Sequence, residues 1–120
     1  MAEVFEMADE PVYVNFDEGS KRVMNNARLY IKLLTKFKAD TNLDELLALL
    51  DAADYEKAQA AAHTLKGVSA NLSLTELFKQ TLELETQIKA RAVNPDQIEK
   101  VKTAFDETVK NIDKVVMENG

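Results

Sequence analysis

The stretch YEKAQAAAHTLKGVSANL, residues 55–72, decides the fold because it combines strong helix formers with an apolar stripe. The stripe recurs at intervals of three and four residues, which is the spacing of a packed helical seam. Its members are Tyr55, Ala58, Ala62, Leu65, Ser69 and Leu72. We therefore predict a helix that is capped by Asp54, buries this side and ends near Asn71.

Three further helices are predicted before this segment. A short helix can begin at Asp17, and Asn26 is placed to cap a longer one. A compact third helix begins near Asn42. Residues 1–16 lack a long helical period and contain a proline followed by VYV, so we expect an arm that packs on a body formed by residues 17–120.

Two more helices are predicted after the central segment. Ser73 is a good N-cap and Glu76 stands in the capping-box position, so a helix should begin near Leu74. In the last segment Asn94 precedes Pro95, and proline suits the first position of a helix. Six helices with short loops predict an all-α protein, an antiparallel up-down four-helix bundle with additional short N-terminal helices.

Composition and charge narrow the classes of function. The chain has 120 residues and a net charge of −6, and it has no block of Lys or Arg, so we expect no nucleic-acid partner. No cysteine and a single histidine disfavour disulfides and the usual zinc sites. No segment approaches the ~18 apolar residues of a membrane span and no leader pattern is present. We expect a cytoplasmic protein without membrane contact, and a monomer because the bundle can bury its own stripes.

The single histidine, His63, lies on the outward side of the central helix. At roughly 100° per residue it points about 140° away from the centre of the apolar stripe. Gly67 follows one turn later on the same side and leaves room for another molecule, although glycine costs about 1 kcal/mol relative to alanine inside a helix. Lys66 can turn its ammonium toward an anion attached to the imidazole. The alternative, that His63 and Lys66 are ordinary solvated residues, stays open.

A carboxylate on the following helix is within reach of this histidine. If the two helices form an antiparallel pair about residues 72 and 73, His63 lies opposite roughly position 82. Glu85, on the flank of the core stripe, could then accept the Nδ1 proton and leave the Nε2 lone pair outward. A boundary carboxylate turned to water is an equally good interpretation of the spacing.

With these residues the chain resembles the histidine-containing phosphotransfer (HPt) domain family. The resemblance is carried by AHTLKGVSANL, by LYIKLLTKF and LLDAADYEKAQAAA before it, and by LFKQTLELETQIK after it. It covers about residues 17–115. The resemblance implies that His63 is the phospho-acceptor, that Lys66 and Gly67 are its motif companions, and that the residue at Glu85 hydrogen-bonds the imidazole.

The resemblance also implies a phosphorelay intermediate. His63 would accept a phosphoryl group from the aspartyl phosphate of a receiver domain, or from a kinase, and pass it to a response-regulator aspartate. The expected partners are receiver domains and a sensor histidine kinase. No cofactor is expected on this chain, because Mg²⁺ is expected on the partner receiver domain. Nothing resembles an ATP-binding kinase domain, so we expect a free-standing phosphotransfer protein that is not itself an enzyme.

Two alternatives and one departure remain. The chain could be a non-catalytic adaptor bundle in which His63 is incidental, or the phosphotransfer domain of a chemotaxis-type histidine kinase. The departure is Ser73, which stands where the family often has glycine. We therefore expect the turn after the motif to differ in shape.

Overall fold

The structure, a computed structural model, describes residues 11–119, which form six α-helices and no strand. The helices are α1 (Phe16–Arg22), α2 (Ala27–Phe37), α3 (Asn42–Asp51), α4 (Tyr55–Asn71), α5 (Thr75–Lys89) and α6 (Pro95–Asn119). Within the described residues, no helix is both long and apolar enough to cross a membrane. The predicted all-α class is confirmed for this part of the chain.

Helices α4, α5 and α6 lie side by side and alternate in direction, because the connections between them are short. Helix α4 packs most extensively against α5, and α5 packs against α6. Helix α3 covers α4, helix α2 covers α6, and α1 lies against α2. This arrangement is the antiparallel bundle with short N-terminal helices that the sequence predicts.

The core is apolar and receives side chains from every helix from α2 to α6. The largest fully buried side chains are Tyr30, Leu34, Leu46, Leu65, Leu74, Leu77, Leu84, Ile88, Val101 and Ile112, with Thr81 and Thr108. On α4 the buried residues are Ala58, Ala61, Ala62, Leu65 and Ser69. Because these side chains face the core, the opposite face of α4 is left to solvent.

Three predicted caps are present at the helix starts. The side chains of Asn26 and Asp54 each accept the backbone N–H three residues on, at 3.0 and 3.3 Å. The side chain of Asn94 accepts the N–H two residues on, at 2.9 Å, and Pro95 is the first residue of α6. These side chains satisfy donors that the helix itself leaves without a partner, so local sequence fixes where α2, α4 and α6 begin.

The start of α5 differs from the sequence prediction. Ser73 and Glu76 do not form a capping box, because Ser73 has a positive φ of 56° and belongs to the end of α4. Leu74 takes the N-cap position and makes no side-chain cap. The N–H of Glu76 instead donates to the carbonyl of Val12 at 2.8 Å. The segment before α1 therefore satisfies a donor that a capping side chain normally satisfies.

Ser73 adopts the left-handed conformation that glycine reaches most easily. Two backbone hydrogen bonds of the Schellman type, donated by Ser73 at 3.1 Å and Leu74 at 2.8 Å, close the end of α4. The Ser73 hydroxyl donates to Glu18 Oε1 at 2.8 Å and accepts from Arg22 Nε at 3.1 Å. The serine therefore ties α1 to this turn, which a glycine could not do.

Residues 11–15 lie along the same turn. The N–H of Asn15 donates to the Ser73 carbonyl at 3.0 Å, and the Asn15 side chain accepts the N–H three residues on at 3.2 Å. Helix α1 begins at Phe16, one residue before the predicted start. Residues 1–10 of the expected arm lie outside the described residues, so the division of the chain into arm and body stays a prediction.

Gly19 and Tyr30 hold the N-terminal helices against the end of α4. A Cβ on Gly19 would collide with the ring of Tyr30, so glycine is required there. The Tyr30 hydroxyl donates to the carbonyl of Leu72 at 2.6 Å, and the ring of Phe16 meets the Tyr30 ring edge-on at 5.6 Å between centroids. Burial, with the nearby charge of Glu18, raises the pKa of Tyr30 to about 12, so the hydroxyl remains a donor.

Candidate functional site

His63 lies in the middle of α4 on the face turned away from the core. Its side chain is 70% exposed, although Ala62 and Leu65 beside it on the same helix are fully buried. The cap at Asp54 and the left-handed turn at Ser73 close the two ends of this helix. The imidazole therefore projects from a rigid element into a space that another molecule can enter.

Gly67 extends the open surface one turn beyond His63. Apart from its chain neighbours and the nearby backbone of α4, a Cβ built on this glycine would have no atom within 4 Å, and its φ is not positive. Neither close packing nor backbone conformation therefore requires glycine here. What the missing side chain provides is free surface next to the imidazole, as the sequence pattern predicts.

Glu85 reaches His63 from the neighbouring helix α5. Its Oε2 lies 3.3 Å from His63 Nδ1, and its side chain is only 3% exposed. This burial corrects the expectation that the carboxylate lies on the flank and the alternative that it turns to water. An ionised carboxylate can only accept, so Nδ1 carries the ring proton in the neutral imidazole and Nε2 keeps its lone pair.

Lys66 is bound to the same carboxylate. Its Nζ lies 2.8 Å from Glu85 Oε1, and its side chain is 20% exposed. Lys66 is therefore neither a solvated lysine nor an ammonium free to turn toward an anion, the two roles expected from its position in the sequence. The helical positions explain the contact, because residues three apart on α4 lie side by side and both face α5.

Lys89 joins these residues although no motif in the sequence points to it. Its Nζ lies 3.8 Å from Glu85 Oε2, and its side chain is 57% exposed. The available signal is the spacing of four residues between Glu85 and Lys89 on one helix, which places opposite charges together. We call His63, Lys66, Glu85 and Lys89 the Glu85 cluster.

The Glu85 cluster favours the charged form of its carboxylate. Burial alone acts to raise the pKa of Glu85, but the hydrogen bond and charge of Lys66, with Lys89 and His63, outweigh burial and hold the pKa below its usual value. With a neutral imidazole, the single carboxylate and the two ammonium groups leave the cluster with an excess of one positive charge. Such a cluster attracts an anion placed beside the ring.

The arrangement can hold a nucleophile in position. The hydrogen bond at Nδ1 fixes the tautomer and the orientation of the ring, and the exposed Nε2 is left to react. Among residues 11–119, no three His, Cys, Asp or Glu side chains are grouped so that they could hold a metal ion. The orientation and exposure of the ring fit attack by one imidazole on an electrophile carried by another molecule.

A family model described as Hpt domain matches residues 33–113, which is more than half of the chain and includes Gly67 and the whole Glu85 cluster. The searches of curated proteins and of solved structures found no match.

Proposed function

Because this chain belongs to the Hpt domain family, whose members take part in phosphotransfer in two-component phosphorelays, we propose that His63 is its phospho-acceptor. The observation that carries the proposal is the pairing of an exposed imidazole with a buried carboxylate at Nδ1. This pairing leaves Nε2 as the reactive nitrogen. Gly67 supports the proposal because it keeps the surface next to the ring open to a docking domain.

The proposed reaction moves one phosphoryl group without a proton transfer. The Nε2 lone pair attacks the phosphorus of a receiver's aspartyl phosphate, the Nε2–P bond forms, and the bond between phosphorus and the aspartyl oxygen breaks. The aspartate leaves as a carboxylate, and the ring, still protonated at Nδ1, becomes a phosphorylated imidazolium. Glu85 stabilises that positive charge through the hydrogen bond at Nδ1. The return reaction passes the group to the aspartate of another receiver domain.

Receiver domains and a sensor histidine kinase are the proposed partners, in line with the interactions of Hpt domains in phosphorelays. The Glu85 cluster does not fit a resident Mg²⁺, because its one carboxylate is already bound to two lysines and the imidazole. We therefore assign the Mg²⁺ of the reaction to the receiver domain. Phosphoryl transfer then depends on positioning and charge. This chain positions the imidazole that attacks, and the receiver domain supplies the Mg²⁺.

Transfer from a labelled receiver tests this proposal. A panel of receiver domains is phosphorylated with a radioactive small-molecule donor and mixed with the protein. We expect label that is stable to base and labile to acid on the wild type and none on His63→Gln. The matched control is Lys100→Gln, an exposed position on α6, which should take up label like the wild type.

Three results would count against the proposal. Label on a folded His63→Gln variant would move the acceptor to another residue. Binding of receivers without any label would favour the adaptor bundle. Label obtained only from the ATP-binding domain of a kinase, and never from a receiver, would favour the phosphotransfer domain of a chemotaxis-type kinase.

A further inference from the structure

The two lysines of the Glu85 cluster are held very differently. Lys66 Nζ lies 2.8 Å from Oε1 and most of the Lys66 side chain is covered. Lys89 Nζ lies 3.8 Å from Oε2 and more than half of the Lys89 side chain is exposed. One cation is therefore fixed in a direct ion pair, and the other is loosely associated and surrounded by water.

The consequences of releasing each lysine also differ. Lys66 forms the ion pair at Oε1, so its departure would leave this buried carboxylate oxygen without its cation. Oε2 has a second partner in His63 Nδ1, so it remains satisfied when Lys89 leaves. The cation that is free to respond to a new anion is therefore Lys89.

Lys89 can also reach a group attached to the His63 ring. Its Nζ and His63 Nδ1 lie 3.8 and 3.3 Å from the same oxygen, so they are at most about 7 Å apart. Side chains on a helix lean toward its N-terminus, and this brings the His63 ring toward the part of α4 that faces Lys89 on the antiparallel α5. The flexible stem of an exposed lysine can cover the remaining distance.

We propose that Lys89 is the cation that contacts the phosphoryl group on His63, while Lys66 stays bound to Glu85 and holds the carboxylate in position. The inference rests on the proposed function of His63. A phosphoryl group on Nε2 adds between one and two negative charges, roughly. Lys89 then exchanges its long contact with Oε2 for a charge-assisted hydrogen bond to a phosphoryl oxygen, and no covalent bond to Lys89 is formed or broken.

The lifetime of phosphorylated His63 without any receiver tests this division of roles. When phosphohistidine hydrolyses through a dissociative transition state, the phosphoryl oxygens lose negative charge. A cation that contacts these oxygens therefore stabilises the phosphorylated form and slows its hydrolysis. We expect Lys89→Gln to shorten the half-life about tenfold at low salt and less at high salt. Lys89→Arg should restore it to within about twofold of the wild type, since arginine also donates to phosphoryl oxygens. Lys100→Gln removes the same charge elsewhere and should leave the half-life unchanged.

Thermal unfolding supplies a second measurement that separates the lysines. Lys66→Gln should lower Tm by about 5 °C or more, and this loss should largely disappear in a Glu85→Gln background. Lys89→Gln should change Tm by less than about 2 °C. The inference is overturned if Lys89→Gln keeps the wild-type half-life, or if Lys66→Gln alone shows the salt-dependent shortening. A wild type that accepts no label overturns the proposed function, and the role of Lys89 with it.

Discussion

Replacing Gly67 should make the protein more stable and a poorer phosphotransfer partner. Alanine is favoured over glycine in a helix by about 1 kcal/mol. Beyond its chain neighbours and the nearby backbone of α4, a Cβ at Gly67 meets no atom within 4 Å, so no clash in the fold offsets this gain. For a domain of this size the expected rise in Tm is about 4 °C for Gly67→Ala, and slightly less for Gly67→Gln. The longer Gln side chain would also occupy the open surface beside His63.

The functional half of this prediction concerns docking. We expect Gly67→Gln to slow transfer from a phosphorylated receiver on the order of tenfold, the equivalent of about 1.4 kcal/mol lost at the interface. The half-life of phosphorylated His63 without a receiver should not change, because the substitution leaves the Glu85 cluster intact. The assays are thermal unfolding followed by circular dichroism, and rapid-quench transfer at a receiver concentration below saturation.

Two outcomes would refute this reasoning. A lower Tm for Gly67→Ala would mean that the fold needs glycine at this position. A raised Tm with wild-type transfer in Gly67→Gln would mean that the partner does not contact the surface beside His63. The two variants separate the effect on the fold from the effect on docking, because Gly67→Ala adds the smallest possible side chain and Gly67→Gln adds a longer one.

Gly19 and two buried polar side chains give three more predictions. Gly19→Ala should lower the free energy of unfolding by about 2 kcal/mol in denaturant titrations, because the added Cβ collides with the buried ring of Tyr30. Thr81→Val should raise it by about 1 kcal/mol, because the Thr81 hydroxyl is buried without a hydrogen-bond partner among the described residues; a loss of stability would contradict this. Glu85→Gln should lower it by on the order of 1 kcal/mol at pH 7. The pKa of Glu85 is lower in the folded protein than in the unfolded chain, so its charge stabilises the fold fully above the ordinary glutamate pKa. This stabilisation is lost as the pH falls through the folded-state pKa. The difference in unfolding free energy between Glu85→Gln and the wild type should therefore shrink below about pH 4. A difference that stays constant down to the acid transition would show that the charge of Glu85 does not stabilise the fold.

Local patterns in the sequence are sufficient to predict most helix starts. Asn26, Asp54 and Asn94 cap helices where the sequence places them, because a cap depends on a few consecutive residues. The capping box at Ser73 fails because only residues 72–74 separate α4 from α5. Ser73 is needed as the left-handed residue that ends α4, so it cannot also cap α5.

The neighbourhood of Glu85 and His63 is also predictable, because an antiparallel helical pair with a short turn fixes which positions face each other. The burial of Glu85 and its ion pair with Lys66 are not predictable in this way. Whether a long charged side chain lies in solvent or against a partner depends on how the helices pack, and periodicity along one helix contains no such information. Lys89 shows the same limit, since its spacing from Glu85 fits an ordinary surface ion pair equally well.

The hydrogen bond between Glu76 and Val12 has a consequence for amide exchange. The first N–H groups of a helix normally exchange quickly, because they have no acceptor within the helix. The N–H of Glu76 lies in the first turn of α5, yet it donates to the carbonyl of Val12. Its exchange rate therefore reports how often the segment before α1 detaches, a local opening that is distinct from unfolding of the bundle. The amide of Glu76 thus serves as a native probe of whether the segment before α1 stays bound to the turn between α4 and α5.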